Sequence, residues 1–112
     1  MRTTLRLAAA GLLVAACAAP VFAQDPKVAK GEKLFADNRC HVCHAVAGKG
    51  NPKHPLDGMG KKLEAAEIKM WLTNPKGAEA KAGVKAMPPM KSFAALPAED
   101  TDALVAYVLS LR

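Results

Sequence analysis

The chain has 112 residues, 51% hydrophobic and only 4% aromatic, with 16 Lys and Arg against 10 Asp and Glu and a formal net charge of +6. That length bounds it to one small domain, short of the apolar bulk needed for a core of its own. The lysines are scattered and no aromatic stacking platform accompanies them, which argues against nucleic acid as the partner.

Residues 1–23 read as a secretory signal peptide. Arg2 and Arg6 form a positive n-region, Leu7 to Ala19 is apolar, and Val21-Phe22-Ala23 is an A-x-A-like cleavage site before Gln24. The uncharged run is shorter than the ~20 residues of a spanning helix and contains Pro20, so the mature chain is expected to carry no membrane span. Val14-Ala15-Ala16-Cys17 also resembles a lipobox that would leave an acylated Cys17, but the apolar Ala18 to Phe22 that follows is an unusual lipoprotein start. Cleavage after Ala23 leaves one domain, residues 24–112, removes the odd cysteine, and lowers the charge excess to +4 by removing Arg2 and Arg6.

The first predicted helix runs from Pro26 to Asn38, with Val28, Gly31, Leu34 and Phe35 on one face and Lys27, Lys30 and Lys33 mostly off it. A glycine on a buried face weakens the helix, so Gly31 predicts close approach of another helix. Cys40-His41-Val42-Cys43-His44 follows. C-x-x-C-H is the attachment signature of a c-type haem: two thiols on a short turn reach the two vinyl groups on one porphyrin edge. The histidine after the second cysteine then places its imidazole on the iron. A zinc site would need a second ligand pair, and only His54 and Cys17 remain to supply one. A thioredoxin-like dithiol belongs after a strand in a β/α pattern, and no strand-like alternation surrounds this motif.

Ala45 to Gly60 reads as loop, punctuated by Gly48, Gly50, Pro52, Pro55, Gly58 and Gly60. A short helix is predicted from about Lys61 to Thr73, ended by Asn74-Pro75. Residues 75–96 read as a second loop. The clearest helix is Pro97 to Leu111, with acidic residues at its positive end and Leu104, Tyr107, Val108 and Leu111 spaced i, i+3, i+4, i+7. The expected class is all-α with two long loops. Loops of that length in so small a domain need a function, which a haem crevice supplies. The haem would also provide the missing apolar body, so the haem-free chain is expected to be largely unfolded.

Taken in order, Gly31-Glu32-Lys33-Leu34-Phe35, C-H-V-C-H, His54-Pro55-Leu56, Trp71-Leu72-Thr73-Asn74-Pro75-Lys76, Met87-Pro88-Pro89-Met90 and Ala103-Leu104-Val105-Ala106-Tyr107 resemble a class I c-type cytochrome of bacterial periplasms. The resemblance spans the mature chain, and the haem motif is its specific part. It implies the small cytochrome c fold: crossed first and last helices, with Gly31 and Phe35 against Tyr107, and a short middle helix around one thioether-linked haem c. It also implies a methionine sulfur opposite His44, a pairing that raises the reduction potential. Met90 matches the family pattern of an aromatic at +3 (Phe93) and a leucine at +6 (Leu96). Met87 matches the habit of a ligand methionine followed by proline, so the choice falls on Met90 with Met87 as its rival. Met59 and Met70 read as packing. An iron-bound imidazole usually gives its other N–H to a carbonyl. The resemblance assigns that acceptor to Pro55, and to Trp71 a contact with a haem propionate. His54 reads as a surface or propionate-side residue and His41 as unconstrained.

The expected function is a soluble, monomeric, periplasmic electron carrier. Lys49, Lys53, Lys61, Lys62, Lys85 and Lys91 would steer it onto redox proteins with acidic docking surfaces. A cytochrome subunit bound to an oxidase or dehydrogenase shares the same chemistry. An open-site haem sensor or a peroxidase fits less well: c-prime bundles carry the motif near the C-terminus, and such peroxidases are larger and typically diheme. No residue pair suggests acid–base or nucleophilic catalysis, so no enzymatic activity is expected.

Overall fold

The computed structural model describes Gly11, residues 14–18 and residues 24–112; most of the expected signal peptide, including its n-region and cleavage site, lies outside the described residues. Cys17 is a free, exposed thiol. The elements are α1 (Pro26–Asp37), a single 3-10 turn (Cys40–Val42), β1 (His44–Val46), β2 (Lys49–Gly50), β3 (His54–Pro55), α2 (Met59–Lys62), α3 (Ala65–Thr73), α4 (Pro75–Ala82) and α5 (Ala98–Ser110). Among the described residues no helix is long and apolar enough to cross a membrane.

Helix α1 starts where Asp25 accepts the Lys27 amide at 2.8 Å and Pro26 takes a first-turn position that needs no N–H. Its predicted face is the packed one: Gly31 and Phe35 are buried, and Val28 and Leu34 lean on the core. The face meets α5. A Cβ on Gly31 would lie 2.7 Å from the Cβ of Tyr107 and nearer still to the Ala103 carbonyl oxygen, so only glycine permits this approach. Phe35 and Tyr107 then meet edge to face, centroids 5.5 Å apart at 62°, as the resemblance implies. Ile68 and Leu72 from α3 and Leu104 and Val105 from α5 complete the buried cluster. Lys30 pairs with Glu99 at 2.9 Å and Asp100 at 3.0 Å at the exposed edge of the crossing, and these two carboxylates hold its ammonium pKa above the ordinary lysine value.

Three sequence expectations need correction. The middle helix is two pieces, because Leu63 and Glu64 are extended. Glu64 caps α3 in a reciprocal box with Glu67, its own N–H donating to the Glu67 carboxylate at 2.9 Å. Residues 75–96 are not all loop: Asn74 ends α3 and also starts α4, accepting the Gly77 amide at 3.1 Å ahead of Pro75. The first loop contains a minimal three-stranded sheet in the order β2-β1-β3. Strand β2 runs antiparallel to β1 (Ala45 opposite Gly50, Val46 opposite Lys49), and β3 runs parallel to it (His44 opposite His54, Ala45 opposite Pro55). The fold remains overwhelmingly helical.

Candidate haem attachment site

The C-x-x-C-H segment is aimed by the end of α1. Asn38 folds its side-chain amide back to the Leu34 carbonyl at 2.8 Å, and Arg39 adopts a left-handed conformation (φ 58°) that turns the chain into the 3-10 turn. Within that turn the Cys43 amide donates to the Cys40 carbonyl at 3.2 Å, which sets the two thiols on consecutive arms of one tight bend. Both are free thiols; Cys40 is half-buried and Cys43 exposed. Burial pushes the Cys40 thiol up from its ordinary pKa.

Asn51 braces the motif, its amide donating to the His41 carbonyl at 3.0 Å and its side chain to that of Val42 at 3.1 Å. Gly50, at φ +105°, passes so close that a Cβ would collide with the His44 carbonyl oxygen and lie 3.1 Å from that of His41. Asp57 accepts the Ala47 amide at 2.8 Å and closes the other end of β1. The sequence points to neither Asn51 nor Asp57, and to Gly50 only as one of several residues that punctuate the loop. They sit among many loop glycines and polar residues, and only the sheet register shows what they brace.

His44 opens β1 half-buried, and its Nδ1–H donates to the carbonyl of His54 at 3.0 Å. The acceptor is therefore His54 and not Pro55. The parallel register places His54 opposite His44, while Pro55 stands opposite Ala45 with its side chain exposed. Burial lowers the His44 pKa and favours neutral imidazole, the form that binds metal. With Nδ1 engaged, Nε2 is the nitrogen left for a metal. The donor set fits a haem: two unpaired thiols, with Cys40 packed against the apolar core, and an oriented imidazole. Leu56, Leu63, Met90, Phe93 and Leu96 touch the core with one side and are only partly covered on the other. Among the described residues no three His, Cys, Asp or Glu side chains cluster to hold a metal, so a zinc site lacks its further ligands.

The two rival methionines differ in setting. Met90 is half-buried against the core cluster, whereas Met87 is 58% exposed. Their segment is held where the Phe93 amide donates to the Leu72 carbonyl at 2.7 Å and the Ser92 hydroxyl to that of Thr73 at 3.2 Å. Earlier, the Ala86 amide donates to the Glu79 carboxylate at 3.0 Å. Trp71 is half-buried on α3 beside Met70, and both line a cleft of about 100 Å³ between α3 and α4 with Leu63 and Ala78. Met59 opens α2 and is also half-buried. The six lysines of interest are all exposed.

No curated protein and no solved structure matched the chain. A family model described as cytochrome c matches residues 28–112, from the first turn of α1 through α5 to the C-terminus. With most of its length included in that match, the chain belongs to the cytochrome c family, small all-α proteins that carry a covalently attached haem c and transfer electrons through it.

Proposed function

We propose that this cytochrome is a soluble single-electron carrier of the periplasm, with its haem linked through Cys40 and Cys43 and its iron held between His44 and Met90. When bound, the haem supplies the iron centre whose change of oxidation state takes up and releases the electron. The residues do the rest. The observation that carries the reading is the His44 imidazole, its Nδ1–H held by the His54 carbonyl directly after two free thiols. The hydrogen bond from Nδ1–H to the His54 carbonyl orients the ring, so its free nitrogen is preset for the metal. Met90 is favoured over Met87 because a half-buried thioether on the core is already desolvated, whereas Met87 would have to leave solvent. Trp71 is proposed to give its indole N–H to a propionate, and Pro55 to fill the space beside His44 without accepting its proton. The exposed Lys49, Lys53, Lys61, Lys62, Lys85 and Lys91 would guide acidic redox partners. The protein is proposed to act as a monomer and not as an enzyme.

The test is the optical spectrum of the holoprotein, oxidised and reduced, with carbon monoxide added to the reduced form. Sharp reduced α and β bands, a weak near-infrared sulfur-to-iron band when oxidised, and no carbon monoxide shift are expected. Met90→Ala should abolish the near-infrared band and leave the fold intact, whereas Met87→Ala should retain it. A broad high-spin spectrum that shifts with carbon monoxide would replace the carrier with an open-site haem protein.

A further inference from the structure

His54 touches both sides of the site. Its backbone carbonyl accepts the His44 Nδ1–H at 3.0 Å, and its ring stands edge-on to that of His44 with centroids 6.3 Å apart. Its own Nε2 lies 3.4 Å from the carbonyl oxygen of Met87, three residues before Met90. The contact is long for a hydrogen bond, but its placement is distinctive. Among the described residues, every other hydrogen bond from segment 84–96 to the rest of the chain goes to α3 or α4: Val84 and Ala86 to Glu79, Ser92 to Thr73, and Phe93 to Leu72. Among the described residues, His54 alone hydrogen-bonds the segment to the small sheet that carries His44.

The backbone of His54 is itself fixed. It pairs with His44 in the parallel register, and two residues later the Leu56 amide donates to the Ala45 carbonyl at 2.8 Å. Its ring is half-buried while Met87 is exposed. A tether from a braced strand to an exposed loop restricts the loop rather than the strand. We infer that His54 is a positioning residue: its imidazole N–H holds the Met87 carbonyl and so limits withdrawal of Met90 from the iron. The inference rests on the proposed Met90 ligation. It requires an N–H donor of the right reach, which glutamine can supply and alanine or phenylalanine cannot.

The experiment titrates oxidised holoprotein with imidazole, which displaces a methionine ligand, and follows loss of the near-infrared band. His54→Ala and His54→Phe should bind imidazole about three- to ten-fold more tightly than wild type, the size of one neutral hydrogen bond. His54→Gln should return most of the way to wild type, a rescue that a loss of packing would not show. Equal imidazole affinity in wild type and both donorless variants overturns the inference, as does a Gln variant indistinguishable from Ala. If Met90→Ala keeps the band, the ligand assignment has failed instead. The tether is then read from hydrogen exchange at the Ala86 and Phe93 amides: faster exchange in the donorless variants supports it, and unchanged exchange overturns it.

Discussion

Where α1 crosses α5, backbone meets backbone at Gly31 and Ala103, with Phe35 and Tyr107 locked edge to face beside them. Segment 84–96 rests Met90, Phe93 and Leu96 on the core but is otherwise held by a few hydrogen bonds to α3, α4 and His54, with Val84 and Met87 54% and 58% exposed. Close-packed contacts of the first kind have no nearby alternative arrangement. Hydrogen bonds at an exposed loop can open one at a time without unfolding the domain. The crossing is therefore the part that sets stability, and the segment is the part that sets how firmly Met90 is held.

The sharpest way to break that contrast is Gly31→Val. The new side chain has nowhere to go but into the Ala103 carbonyl and Tyr107, so the helices must separate. A loss of about 3 kcal/mol or more is expected from overpacking a backbone contact, read by denaturant unfolding of the holoprotein. Val84→Ala, by contrast, should stay within about 0.5 kcal/mol. Similar losses from the two variants would abolish the distinction between the regions.

The aromatic pair gives a smaller and cleaner measure of the same crossing. A double-mutant cycle with Phe35→Leu and Tyr107→Leu should show a coupling of about 1 kcal/mol beyond the single losses. A coupling near zero would mean that the edge-to-face geometry adds nothing to simple burial.

This crossing was also the most legible part of the chain. Gly31, Phe35 and Tyr107 lie on helices of 12 and 13 residues, long enough for the 3.6-residue period to show which face is buried. Helix α4 was missed because eight residues bury only Pro75 and Ala78, too little apolar surface to make a stripe. Its real start signal, the Asn74 side chain on the Gly77 amide, reads in sequence as the end of α3. The strands, two or three residues each, are too short for alternation to appear. The covalent haem was legible because its attachment demands a fixed local spacing, Cys40-x-x-Cys43-His44. The carbonyl that orients His44 was displaced by one residue, from Pro55 to His54, because the pairing register decides it and nothing local encodes that register.

Asn74 sharpens the comparison from the loop side. Asn74→Ala removes the α4 cap and should cost about 1 kcal/mol. The loss should be local, with faster hydrogen exchange at the Gly77 and Ala78 amides and unchanged protection in α5. Loosening in α5 as well would show that α4 and the crossing unfold as one unit.

The smallest expected effect lies in alkali and returns to the crossing. Burial raises the Tyr107 phenol above its ordinary pKa, assisted by the negative charges of Glu32 and Asp57. The folded state therefore holds the phenolic proton more tightly than the unfolded chain. The resulting stability is fully present below the unfolded value of about 10 and is lost as pH rises through the higher folded value. The Lys30 ammonium, raised by Glu99 and Asp100, has the same sign and an overlapping window, so the alkaline limb of the wild type alone cannot separate the two. Tyr107→Phe can, because it keeps the ring against Phe35 and removes only the proton. The stability of wild type relative to Tyr107→Phe should fall between about pH 9 and pH 12 while the Lys30 contribution cancels. A difference that stays constant across that range would mean the phenol has the same proton affinity folded and unfolded, and that its hydroxyl reaches water despite the packing around its ring.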